Sequence, residues 1–101
     1  MLDLIIRGGQ VVAPWGIGDW DVAVQGDKIV SVAAAGTVTE EAVRVVDASG
    51  KIVVPGGIEP HAHIAAPFIA QGQNVSTAPP EQVSRAALFG GTTTLLDFAV
   101  Q

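Results

Sequence analysis

At 101 residues the chain has room for one ordinary domain at the small end of core size. Its 49% hydrophobic against 15% charged residues exclude intrinsic disorder. The net charge of −5, with only five scattered Lys and Arg residues, removes the basic footprint that nucleic-acid binding needs. No cysteine is present, which excludes disulfides, a thiolate nucleophile and a Cys-built zinc site and is compatible with a reducing compartment. Met1-Leu2-Asp3-Leu4 has no basic, apolar signal-peptide pattern and no apolar run is long enough to span a bilayer, so the expectation is a cytoplasmic protein with no membrane partner.

In chain order, Leu2 to Val12 is rich in branched aliphatics and broken by Gly8-Gly9, predicting a strand, a tight turn or bulge, and a second short strand. Pro14, Gly16 and Gly18 read as a loop. Trp20 to Val32 alternates around Gly26-Asp27, the pattern of a hairpin. Arg44 to Asp47 and Lys51 to Val54 are two further short strands separated by a turn at Ala48-Ser49-Gly50. After Pro55 the texture changes to a short, glycine-led segment ending in polar residues, which places a domain boundary near Val54 to Gly56. Gln71 to Pro80 reads as a long loop giving way to a helix. Pro79 and Pro80 suit the helix start, Glu81 suits its positive end, and Gly90-Gly91 stops it. Thr92 to Val100 then reads as a buried strand, so the second half is one βα unit plus the next strand of a parallel α/β architecture.

His61 and His63 are the only histidines, two apart at the end of a predicted strand. Strand alternation puts them on one face with Ala62 pointing away. Two imidazoles on one face can grip one divalent ion, but a catalytic site normally takes three protein ligands and an open position. Taken on spacing alone, the pair can equally be surface or packing histidines. Glu81 and Arg85, four apart, are expected to form an exposed ion pair of little weight, and Trp15 and Trp20 to pack at a sheet edge or subunit contact. Asp97, near the end of its strand, is compatible with a catalytic, a supporting or a purely structural role. The glycine pairs lack phosphate-loop spacing.

The run Val54-Pro55-Gly56-Gly57-Ile58-Glu59-Pro60-His61-Ala62-His63 resembles the signature that opens the barrel in the amidohydrolase superfamily. Pro67-Phe68, Arg85 to Phe98, Asp3 to Gly9 and Val46 to Lys51 are similar to the corresponding segments of the hydantoinase and dihydropyrimidinase family. The resemblance implies an α/β fold with a β-sandwich part: residues 1–54 as the N-terminal portion of a composite β-sandwich, and 55–101 as the first βαβ portion of an incomplete TIM-like (β/α)8 barrel. It implies hydrolysis of the C–N bond of a cyclic amide, hydantoin or dihydropyrimidine, with His61 and His63 as metal ligands and Phe68 in the substrate pocket. It also implies a pair of divalent ions, two zinc per full-length chain, bridged by a carboxylated lysine and a hydroxide, with the catalytic acid/base and remaining ligands on later strands. The implied partners are the substrate, the remainder of the barrel or a complementary chain, and further copies in a homo-oligomer. A noncatalytic assembly protein of this fold, or another amidohydrolase such as an allantoinase, is the alternative. Three positions depart from the pattern. Ala65 stands where dihydroorotases carry an arginine, Glu59 replaces the usual Asp, and Ala65 and Ala66 are smaller than the residues often found there, which points to a changed substrate preference.

Overall fold

A computed structural model describes residues 1–98, the side chain of Phe68 excepted. The chain divides into two compact units, Met1–Pro55 and Gly56–Gln101.

The first unit is one six-stranded sheet built on β3 (Gly16–Gln25). The start of β3 pairs antiparallel with β2 (Gln10–Ala13), and its end pairs with β1 (Leu2–Arg7) on one side and β4 (Lys28–Ala34) on the other. The expected hairpin is present, with Gly26 and Asp27 between β3 and β4. Gly16 and Gly18, expected in a loop, are instead strand residues: the turn is made by Pro14 and Trp15, and the Trp20 ring lies over Gly18, where a Cβ would come within 2.6 Å of it. Trp15 and Trp20 pack on each other with ring centroids 5.9 Å apart.

Two kinked strands run side by side. β1 continues through Gly8-Gly9 into β2, while β5 (Ala42–Asp47) continues through the 48–51 turn into β6 (Ile52–Val53). β5 pairs parallel with β1, and β6 pairs parallel with β2. Backbone bonds from Ala48 N to Arg7 O (2.7 Å) and from Gln10 N to Lys51 O (3.0 Å) carry the ladder across both kinks. The approach is close enough that a Cβ on Gly9 would meet the side chains of Val53 and Ala48 at 2.6 and 3.0 Å. Asp47 closes the second kink, its carboxylate accepting the N–H and O–H of Ser49. Those two bonds hold the Asp47 pKa below the ordinary value.

Leu2, Ile5 and Ala23 form the buried centre, with Val38 and Ala42 packed against it. Beside them lies a buried charge, Asp21, only 2% exposed. Its carboxylate accepts bonds from Arg7 Nη1 (2.9 Å), Gly36 N (2.9 Å) and Gly8 N (3.2 Å), and Arg7 Nη2 donates onward to Val38 O (2.9 Å). Burial is the largest influence on this group and pushes its pKa up. The Gly36 and Gly8 N–H groups and the hydrogen bond and charge of Arg7 together outweigh it, so Asp21 titrates below 3.8. The opposite face of the sheet carries an apolar cleft of about 300 Å³ lined by residues such as Ile6, Val24, Ile29 and Val32.

The second unit pairs β7 (Gly57–Ala62) with β10 (Thr92–Asp97) in parallel. Between them come a hairpin, β8 (Pro67–Ala70) and β9 (Gln73–Ser76), and the helix α1 (Pro80–Phe89). The helix lies where proline and glycine predicted it: Pro80 occupies the first turn, where its missing N–H costs nothing, and Gly90 ends it by donating back to Ala86 and Ala87. The stretch expected as a long loop from Gln71 contains β9. Gln71 and Gly72 both adopt positive φ (52° and 77°), forming the two-residue turn that matches strand twist. Gly56 is required by contact rather than φ, because a Cβ there would lie 2.7 Å from Thr93 Cβ. The strand expected to be buried from Thr92 is not: none of its described residues is buried, since one edge meets β7 and only part of one face meets α1. Its predicted last residues, 99 and 100, lie outside the described residues. Glu81 and Arg85 form no ion pair among the described residues.

Replacing Asp21 with Asn removes the charge that Arg7 and two backbone donors address, and is expected to cost about 2 kcal/mol. Because the folded pKa lies below 3.8, the carboxylate's contribution is fully present above that value and is lost as pH falls through the folded pKa. Urea unfolding between pH 3 and 7 checks both: wild type loses stability below about pH 4, and Asp21→Asn shows a shallower acid loss.

Candidate metal centre

The His61 and His63 rings stand on one side of the end of β7. Their Nε2 atoms are 3.1 Å apart, the rings nearly perpendicular at 67° with centroids separated by 5.0 Å. Phe98 packs on His61 at 4.5 Å between centroids and lies 6.2 Å from His63. Both imidazoles are exposed.

A break in register places them there. Leu95 pairs with Glu59 and Asp97 with Ala62, so between these pairs the single residue Leu96 of β10 faces two of β7, Pro60 and His61. The extra residue resets the alternation of side chains. Glu59 falls on the side of Leu95 and α1, where it lines a hollow with Val83 and Ala87, while His61 emerges on the other side, against Phe98. Unbroken alternation would put Glu59 and His61 on the same face.

Three bonds fasten the backbone around the histidines. Glu59 Oε1 accepts the N–H of His61 (2.9 Å), Phe98 N donates to Ala62 O (2.8 Å), and Asp97 Oδ1 accepts the N–H of Ile64 (3.0 Å). The chain then turns at Ala65, whose φ of 48° is in the left-handed region. The turn is held from the other side by Ala65 N to Ala78 O (2.9 Å) and Ala66 N to Thr77 Oγ1 (2.7 Å). Phe68 follows on β8, and its side chain lies outside the described residues.

Two imidazole nitrogens at this separation suit a shared cation. With metal–nitrogen bonds of about 2.0–2.1 Å, two ligands of a tetrahedron sit about 3.3 Å apart. Without a cation the two Nε2 atoms can share one proton, one ring donating and the other accepting; as ligands both carry their proton on Nδ1 instead. Among the described residues no third His, Cys, Asp or Glu joins the pair, so the donor set is a two-ligand portion of a centre. No helix among the described residues is long and apolar enough to cross a membrane.

Residues 44–100 match the model of the Amidohydrolase family, more than half of the chain. The chain belongs to that family. This amidohydrolase chain is 41% identical over 100 residues to a D-hydantoinase of Streptomyces coelicolor, covering 96% of the chain and 21% of that protein. It is 40% identical over 101 residues to a dihydropyrimidinase of Rattus norvegicus, covering 96% and 19% respectively. The solved D-hydantoinase of a Bacillus sp. AR9 superposes with a TM-score of 0.83 at 35% identity, over 98% of this chain and 20% of that one. The amidohydrolase chain therefore spans about a fifth of the length of the relatives it matches.

Two site features escaped the sequence reading: the extra β7 residue that reorients the histidines and the Asp97 bond to Ile64. The left-handed Ala65 gives a direct check on the turn after the histidines. A β-branched residue is strained at that φ, so Ala65→Val is expected to cost about 1–2 kcal/mol. For Ala65→Gly, relief of strain offsets added unfolded-state freedom, and the change stays within about 0.5 kcal/mol. Urea unfolding of the two variants beside wild type measures the difference.

Proposed function

We propose that this chain is the opening segment of a metal-dependent cyclic amidohydrolase, which opens hydantoin or dihydropyrimidine rings at a C–N bond. The observation that carries the reading is the 3.1 Å convergence of His61 and His63 Nε2 in a chain of the amidohydrolase family. A divalent cation held there, when bound, lowers the pKa of water and polarises an amide carbonyl. The chain's own contribution is to present two exposed imidazoles with their Nε2 atoms 3.1 Å apart. Glu59 and the Phe98 ring fix His61, and the pinned turn at Ala65 sets where the following segment runs. Phe68, on the strand after that turn, is assigned to the substrate pocket on its place in the chain.

Within this reading residues 1–54 are the N-terminal portion of a composite β-sandwich and 55–101 the first βαβ portion of a TIM-like barrel. The parallel β7–β10 pair joined through α1 supports the second assignment, and the open apolar cleft on the first unit's sheet supports the first. Large apolar side chains at Val43, Val45, Ile58, Leu88 and Phe89 are exposed. They support completion by the remainder of the barrel or a complementary chain. The full-length protein is proposed as a cytoplasmic, homo-oligomeric enzyme with two zinc ions per chain.

The test uses the full-length protein with its metal content and its hydrolysis of hydantoin and dihydrouracil measured together. Wild type is expected to hold about two ions per chain and to open one or both rings. His61→Ala and His63→Ala should each lower metal occupancy and reduce ring opening at least about 100-fold. A folded protein that binds no metal overturns the reading in favour of a noncatalytic assembly role, and turnover of allantoin alone moves the substrate within the family.

A further inference from the structure

The parallel ladder of β7 and β10 ends at the pair Ala62 and Asp97, one residue short of His63. His63 therefore has no strand of its own to hold it, yet its ring must stay within 3.1 Å of His61 for the two to act together. The residues flanking it are both tied to the end of β10. The carbonyl of Ala62 takes the Phe98 N–H at 2.8 Å, and the N–H of Ile64 is taken by the Asp97 carboxylate at 3.0 Å. The second bond puts a side-chain oxygen where the next backbone carbonyl of a continued ladder would sit. Among the described residues the Ile64 N–H makes no other hydrogen bond, and it lies directly before Ala65, whose positive φ makes the chain prone to relax by rotating there.

Asp97 forms no group of three or more metal-ligating side chains with the histidines among the described residues, so it acts on the pair through backbone. We infer that Asp97 is a positioning residue: its carboxylate extends the β7–β10 ladder by one bond and so holds His63 in the geometry in which both Nε2 atoms address one cation. This inference rests on the metal-centre reading of the histidine pair. A carbonyl oxygen can do the same work, because what the Ile64 N–H needs is an acceptor and not a charge.

The test uses the full-length protein, stripped of metal and titrated with Co2+ and, in chelator competition, with Zn2+. The signal followed is the part of the cobalt visible absorption that the His61→Ala/His63→Ala double variant lacks. Asp97→Ala should weaken that binding about 10- to 100-fold and alter the shape of the cobalt bands, while urea unfolding of the metal-free protein changes little. Asp97→Asn, which keeps the acceptor, should restore affinity to within about fivefold of wild type. Wild-type affinity and spectrum in Asp97→Ala would overturn the inference, as would an Asn variant as impaired as the Ala variant or an affinity loss matched by loss of metal-free stability. If the double histidine variant keeps the full cobalt signal, the metal-centre reading itself fails, an outcome separate from the others.

Discussion

Where a parallel ladder stops, the backbone groups beyond it need other partners, and in the C-terminal unit side chains supply them. β7 and β10 part at Ala62, between the only two imidazoles in the chain, and the three residues that follow, His63, Ile64 and Ala65, lead into a left-handed turn. Glu59 takes the N–H of His61 and Asp97 that of Ile64, so the histidine pair is bracketed by one carboxylate on each flank. Both carboxylates act on backbone. Neither needs to touch a cation to decide where the imidazoles point.

The same economy governs the first unit. Its sheet depends on two kinked strands running in step, and the kinks are stabilised by carboxylates that accept backbone N–H groups: Asp47 in the 48–51 turn and Asp21 beneath Gly8 and Gly36. Asp21 is buried, so its charge is tolerable only with all three donors in place, and Arg7 ties it to the strand that crosses the sheet. A kink fixed this way leaves one apolar face covered by Leu2, Ile5 and Ala23 and the other open as a cleft. The second unit has no buried residue at all among those described. Both observations agree with a chain that spans about a fifth of its relatives' length.

Much of this was legible in the residues. Gly8-Gly9 and Gly26-Asp27 announce turns because glycine tolerates what other residues do not, and Pro80 with Gly90-Gly91 brackets the helix for equally local reasons. The His61-Ala62-His63 spacing, together with the Pro-Gly approach to it, pointed to the family that the comparisons then established. Features that depend on two distant segments were not legible. The extra residue between Glu59 and Ala62 exists only relative to β10, so no periodicity in β7 reveals that Glu59 and His61 part company. The β8–β9 hairpin is short, its second strand is largely polar, and its turn carries Gln where Asn or Asp would have signalled it. Burial of Asp21 reads from sequence as an ordinary polar position in an alternating strand. Only the arrival of Gly36 and Arg7 makes a charge there affordable.

The central claim is that His61 and His63 address one cation through Nε2. Crystals of the full-length protein grown with zinc, with diffraction recorded on both sides of the zinc absorption edge, test it most directly. The account predicts an anomalous peak about 2.0–2.1 Å from the Nε2 atoms of both residues. A peak bound by only one of them, or rings turned so that the two Nε2 atoms lie on opposite sides of the β7 end, would contradict it.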